Sequence, residues 1–229
     1  MDKTAYYLLT SLYNQQWWWV GILFFISALI CLYYAYGPKQ QPKPLKIWMV
    51  VALSWVSIMW LTLVVIRDHM SLIGKLEGAI PAVIVEGFWV AILLFVAGVL
   101  LRDILTKNRI TFTLPIHLVD KIIAGVFIVI SLLYPLYYLP WGLQFPNTAI
   151  IGLTIYPTLI FCAVLLVTAM PKSNRWLVLL LLLANTSPLA QLSAGIYENL
   201  ILVPVIIYLF IKLLTNWKQT KQWQQSLPQ

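Results

Sequence analysis

The sequence predicts an all-α polytopic transmembrane bundle of seven helices, with the N-terminus outside and the C-terminus inside. Three observations predict it. Of 229 residues, 62% are hydrophobic and 10% are charged. A soluble domain carries about 25% charged residues, so this chain has too little polar surface to coat a globule. Apolar runs of about 20 residues recur, each long enough to cross ~30 Å of hydrocarbon as a helix. The basic residues lie at the ends of those runs, so the net charge of +8 reads as membrane orientation rather than nucleic-acid binding. No basic stretch interleaved with aromatics forms a groove-sized patch, and nucleic acid is discarded as a partner.

Three regions follow: an interfacial N-terminal segment over 1–16, a seven-helix transmembrane domain over 17–214, and a polar cytoplasmic tail over 215–229. In the first, Ala5, Leu8, Leu9, Leu12 and Tyr13 recur at helical spacing, as in a short amphipathic helix lying in the interface. Met1-Asp2-Lys3 is barely basic and no small-residue cleavage site follows, so a cleaved signal is not expected. Segment 1 runs Trp17–Tyr36 and stops at Gly37-Pro38. Segment 2, Ile47–Ile66, closes on Arg67-Asp68-His69. Segment 3, Pro81–Leu101, opens with a proline suited to a first helical turn and stops at Arg102-Asp103. Segment 4, Lys121–Leu139, has Asp120 placed to cap it. Segment 5, Asn147–Met170, is interrupted at Tyr156-Pro157. Segments 6 and 7 are Trp176–Leu192 and Ala194–Leu214.

Charge sets the orientation. The N-terminus and the even-numbered loops hold Lys3, Arg67 and Lys75. The odd-numbered loops and the C-terminal end hold Lys39, Lys43, Lys46, Arg102, Lys107, Arg109, Lys121, Lys172, Arg175, Lys212, Lys218 and Lys221, which places that side in the cytoplasm. The bilayer expected is a bacterial inner membrane. Cys31 and Cys162 fall inside apolar runs and read as small buried hydrophobes, with no acidic or histidine company for a metal.

In this topology nearly every polar group in the membrane falls in the outer half. Glu86 lies five residues past Pro81, about 8 Å below the outer end of segment 3. A carboxylate at the centre of a helix costs roughly 2.5–3.5 kcal/mol on insertion scales, less at that depth. It reads either as a proton or cation site in an outward cavity or as a structural carboxyl bonded to Tyr or Asn neighbours. The stretch 184–199 interrupts two apolar runs with Asn185, Thr186, Ser187, Gln191 and Glu198, and Pro188 and Gly195 break the helix there. Its hydroxyls either repair the kink that Pro188 makes at the Ala184 carbonyl or, with Asn185 and Gln191, line a pocket. Glu198 reads as an interfacial turn residue or a member of the same site. Tyr134, at the Tyr-rich outer end of segment 4, belongs to an aromatic belt or a stacking surface, and Tyr156 lies near mid-depth. Asp68-His69 is either a solvated loop or an outward acid/base pair. His69 and His117 fall on opposite sides and share no metal. No catalytic constellation, metal set or cofactor is expected: Lys212 sits at the inner end of the last segment, away from a retinal position, and no zincin, Walker or serine-nucleophile motif occurs.

Tyr13-Asn14 ahead of segment 1 and the Trp-rich segment 2 (Trp48, Trp55, Trp60) ending in a His form one group of motifs. Leu133-Tyr134-Pro135-Leu136, Phe145-Pro146 and Pro157-Thr158-Leu159-Ile160-Phe161 form another, with a polar-acidic stretch before the last helix. Together they resemble a bacterial family of uncharacterised multi-helix inner-membrane proteins, classed only as a domain of unknown function. That family's pattern carries Gly-Leu-Pro-Cys-Pro where this chain has Leu153-Thr154-Ile155-Tyr156-Pro157, so one proline is kept and the cysteine is absent. The resemblance implies architecture and no activity. Three functions stay open: a small-molecule or ion transporter with an outward polar half-cavity, an accessory subunit bound to a membrane-protein partner, and an intramembrane lipid-modifying enzyme. All three have the lipid bilayer as a partner.

Overall fold

The computed structural model describes residues 3–72, 79–106, 109–137, 145–187, 189, 192 and 197–226, with side chains described outside 3–9, 63–72, 79–86, 137 and 198. Every regular element among the described residues is helical. In order they are α1 (Lys3–Tyr36), α2 (Lys43–Leu72), α3 (Ala79–Leu105), α4 (Leu118–Leu132), α5 (Tyr134–Tyr137), α6 (Ile155–Thr168), α7 (Arg175–Thr186), a 3₁₀ turn (Tyr197–Ile201) and α8 (Leu202–Gln225).

Proline writes much of this punctuation. Pro44, Pro81, Pro135, Pro157 and Pro204 each fall within the first turn of a helix, where the missing N–H would have no partner anyway. Tyr156-Pro157, expected to interrupt segment 5, is therefore the start of α6. Residues 145–154 before it are turn, bend or irregular, so segment 5 is helical only from Ile155 onward. Asp120 is not the cap of α4: His117 holds that position, and Asp120 lies inside the first turn. At the other end of the chain, α1 is unbroken from Lys3, so residues 4–16 continue the helix of segment 1.

Four helices are long and apolar enough to cross a membrane: Thr10–Tyr36, Lys43–Thr62, Gly87–Leu105 and Asn199–Gln225. Their outward faces support that use. On α8, Val203, Ile207, Phe210, Ile211 and Leu214 are all exposed, an apolar stripe at helical spacing that water would penalise and lipid does not. α1 does the same with Ile22, Leu23, Ile26, Leu29 and Ile30.

The core is built around α6. All 14 of its residues are buried, and it packs against α2, α4, α7 and α8. At 1.5 Å per residue it spans about 21 Å, short of a ~30 Å hydrocarbon layer. It is preceded by the irregular stretch 145–154, which runs against α1. Two glycines permit that approach. Gly152 has φ +75° and a Cβ there would lie 2.2 Å from Cγ of Phe24. A Cβ on Gly21 would lie 2.9 Å from both Ile150 and Leu153 side-chain carbons. Trp48 is wedged into the same core: its ring stands edge-on to Phe161 at 4.9 Å, and its indole N–H donates to the Phe24 carbonyl at 3.0 Å.

Candidate functional site

Irregular backbone inside a membrane protein must have its polar groups satisfied by protein or water. Asn14 does this for 145–154. Its amide donates to the carbonyls of Pro146 at 2.7 Å and Thr148 at 2.6 Å, and the side chain is fully buried. Further along, the Thr158 hydroxyl accepts from Gly152 N–H at 2.8 Å and donates to the Thr154 carbonyl at 2.8 Å. Thr154 turns its own hydroxyl back to the Ile150 carbonyl at 3.0 Å.

Because Thr154 is occupied that way, no side-chain cap closes the N-terminus of α6. The first-turn N–H groups of a helix point out of its N-terminal end and carry its positive partial charge. Here that end opens on a pocket of about 20 Å³ lined by Thr10, Tyr13, Trp60, Thr154 and Tyr156, with Val56, Met59, Leu153 and Ile155 as apolar wall. Room for one water molecule takes roughly 10–15 Å³, so the pocket has space for a water or a bare ion. Its polar lining is hydroxyl and indole, and among the described lining residues none is ionisable as a carboxylate or amine. Trp55 holds Tyr13 in place, donating from its indole to the phenol oxygen at 2.8 Å, and Trp17 packs edge-on to Trp55 at 5.5 Å. The pocket lies about 21 Å along α2 from Lys46 to Trp60.

The far end of α6 is organised by charge. Lys46 is fully buried and donates to Asp103 at 2.5 Å. Asp103 also accepts from the backbone N–H groups of Arg109 at 3.0 Å and Ile110 at 3.4 Å. Lys212 on α8 pairs with Asp120 on α4. Between these pairs, the hydroxyls of Tyr36 and Thr168 lie 2.7 Å apart, tying the end of α1 to the end of α6. Arg175 lies over the Trp217 ring at 4.8 Å, a cation–π contact joining the start of α7 to α8.

Of the seven expected site residues, four have described side chains: Tyr134, Tyr156, Asn185 and Ser187. Tyr156 lines the pocket. Tyr134 is fully buried at the start of α5, beside a groove of about 610 Å³ whose walls include Trp18, Ile22, Phe25, Leu132, Leu136 and Ile150. Asn185 is fully buried and donates to the Leu181 carbonyl at 2.7 Å, while its side-chain oxygen has no partner. Ser187 donates to the Ala184 carbonyl at 3.0 Å, and Thr186 to that of Leu183 at 2.6 Å. Those bonds are the local back-bonding that a helix end next to a proline needs. Gln191 lies outside the described residues, as do the side chains of Glu86, Glu198, Asp68 and His69. Neither free cysteine is paired, and Cys31 donates weakly to the Pro44 carbonyl at 3.5 Å.

Sequence reasoning passed over Thr10, Tyr13, Asn14 and Thr154. The sign was present: Thr10, Tyr13 and Asn14 recur at three- and four-residue spacing on one side of α1. It also took Lys46 for a loop cation, where the structure buries it against Asp103. The chain matches no protein-family description, no curated protein and no solved structure.

Proposed function

We propose that the chain is a multi-pass integral membrane protein of permease type, moving a small solute or ion through the pocket at the start of α6. In this reading its seven apolar segments lie in a bacterial inner membrane. The N-terminus is outside, and the ion-paired end of the bundle faces the cytoplasm, as the positive-inside distribution requires. Kinship with the uncharacterised bacterial family belongs to the same reading, on the strength of the motifs that surround Tyr13-Asn14 and Pro157.

The observation that carries it is a short, wholly buried helix whose uncapped N-terminus opens on a hydroxyl-lined pocket. Secondary transporters build their substrate sites from such discontinuous helices, because a helix end offers unpaired backbone groups within the bilayer. The pocket's volume sets the scale of what it holds in this conformation, a water molecule or one ion stripped of its shell. Reconstitution into proteoliposomes tests the proposal with a panel of monovalent anions, monovalent cations and protons, read by trapped fluorescent indicators. One of them should cross faster than in protein-free vesicles, and Thr154→Val and Tyr156→Phe should each slow it about tenfold. Flux that is absent, or unchanged in both variants, contradicts the proposal.

A second reading, an accessory subunit of a membrane complex, is favoured by the groove of about 610 Å³ beside α1 and α5. That groove is apolar and of a size to receive side chains of another membrane helix. Co-purification of a stoichiometric membrane partner that is lost in Ile22→Trp would favour this reading over the first.

A further inference from the structure

At the ion-paired end, where α1 gives way to α2, Gln40, Gln41, Pro42, Lys43, Pro44 and Ile47 line an open groove of about 400 Å³. Its position is at the margin of two candidate spans, one ending at Tyr36 and the other beginning at Lys43. Tyr33 and Tyr34, 69% and 42% exposed, mark the same level as an interfacial aromatic belt does. The groove therefore has an apolar floor (Pro42, Pro44, Ile47) at the level of lipid headgroups and a polar rim (Gln40, Gln41, Lys43), with exposed Lys39 beside it.

Charge says what fits there. Lys43 and Lys46 both stand in the first turn of α2, which holds no acidic residue, although the positive end of a helix disfavours cations. Lys46 is neutralised by Asp103. Among the described residues no ion pair involves Lys39 or Lys43. One lining cation, Lys43, and a helix N-terminus thus meet at a groove whose floor is hydrocarbon, and exposed Lys39 is next in sequence to its rim. We propose that this groove seats the headgroup of an anionic phospholipid of the adjoining leaflet. Lys39 and Lys43 bind its phosphate, Gln40 and Gln41 its headgroup hydroxyls, and Ile47 the first acyl carbons. The assignment rests on membrane embedding and is independent of the pocket at α6.

Native mass spectrometry of the full chain tests it, using protein released from micelles doped with equal phosphatidylglycerol and phosphatidylcholine. The wild type should retain phosphatidylglycerol selectively. Each lysine near a membrane surface is worth about fivefold in anionic-lipid affinity, so Lys39→Gln with Lys43→Gln should lower retention about 30-fold. Lys43→Gln alone should lower it about fivefold, which keeps the test open if the double variant folds poorly. Removing the same charge from the tail, with Lys218→Gln and Lys221→Gln, should leave retention unchanged. Equal retention of both lipids overturns the proposal, as does an equal loss from the tail variant or no loss from the Lys39/Lys43 variant. Displacement of the lipid by millimolar inorganic phosphate would assign the groove to free phosphate instead, and overturns it too.

Discussion

At one end of the bundle Lys46 and Lys212 reach carboxylates on neighbouring helices, whereas at the other Asn14, Tyr13, Thr154 and Thr158 work without a charge on any described lining residue. The first arrangement locks helix ends together. A buried ion pair holds its geometry because separating the partners strands a charge in a medium that cannot solvate it. The second arrangement trades neutral hydrogen bonds with a backbone that has left the helix. Each is worth about 1 kcal/mol net, so such a network can exchange partners at small cost. By these magnitudes the buried Lys46–Asp103 pair is the costlier contact to break, and the pocket lies at the other end.

Perturbing each end separately sharpens the contrast. The largest effect should come from Gly152→Ala. It forces a side chain into φ +75° and drives its Cβ against Phe24, adding about 1–3 kcal/mol of backbone strain to a similar overpacking cost. Folded yield and melting temperature in detergent should both collapse, whereas Gly98→Ala, whose Cβ meets nothing within 4 Å, should be tolerated. Next comes Asp103→Ala, which leaves Lys46 buried and unpaired at a cost of about 3–5 kcal/mol. Asp120→Ala should cost far less, about 1 kcal/mol, because both members of that pair are near one-fifth exposed, 21% and 19%, and water screens them. Equal melting-point losses in the two variants would mean that burial does not rank the pairs.

Asn14→Leu should follow, at about 1–3 kcal/mol, since the Pro146 and Thr148 carbonyls lose their shared donor. Its effect should appear mainly as faster hydrogen exchange over 145–154, with the ends of α2 and α8 unchanged. Tyr36→Phe is the mildest, removing one hydroxyl contact to Thr168 for about 1 kcal/mol, measurable as a small shift in melting temperature.

How far these features were legible in the sequence depends on the distance over which each is encoded. Apolar runs and flanking cations are local patterns, and they marked the four helices long enough to cross a membrane. Proline signals are local too, but their meaning depends on position. Pro81 read correctly as a first-turn residue, whereas Pro157 read as an interruption because apolar residues continue on both sides of it. Only the packing of Gly152 on Phe24 shows that the chain turns, without forming a helix, just before α6. The hydrogen bonds of Asn14 to residues 132 and 134 positions away leave no trace in spacing, so a lone Asn in an aromatic stretch looked like interface. Lys46 misled for the opposite reason. A lysine beside a span usually reaches water, and here Asp103, 57 positions on, turns it inward. The stretch 184–199 drew attention because its polarity is contiguous. Of its described members, Ser187 and Thr186 satisfy their own helix end, and Asn185 keeps a buried oxygen without a partner.

The central claim is that the start of α6 is reached by water from the side opposite the ion-paired end. It is tested most directly by cysteine accessibility, with Thr154→Cys placed in a background of Cys31→Ser and Cys162→Ala. A membrane-impermeant, charged thiol reagent is applied to sealed vesicles of each orientation, and Lys218→Cys marks the ion-paired side. Modification of Thr154→Cys only in the orientation that protects Lys218→Cys is the predicted result. Modification in the same orientation as Lys218→Cys, or in neither, would contradict the account.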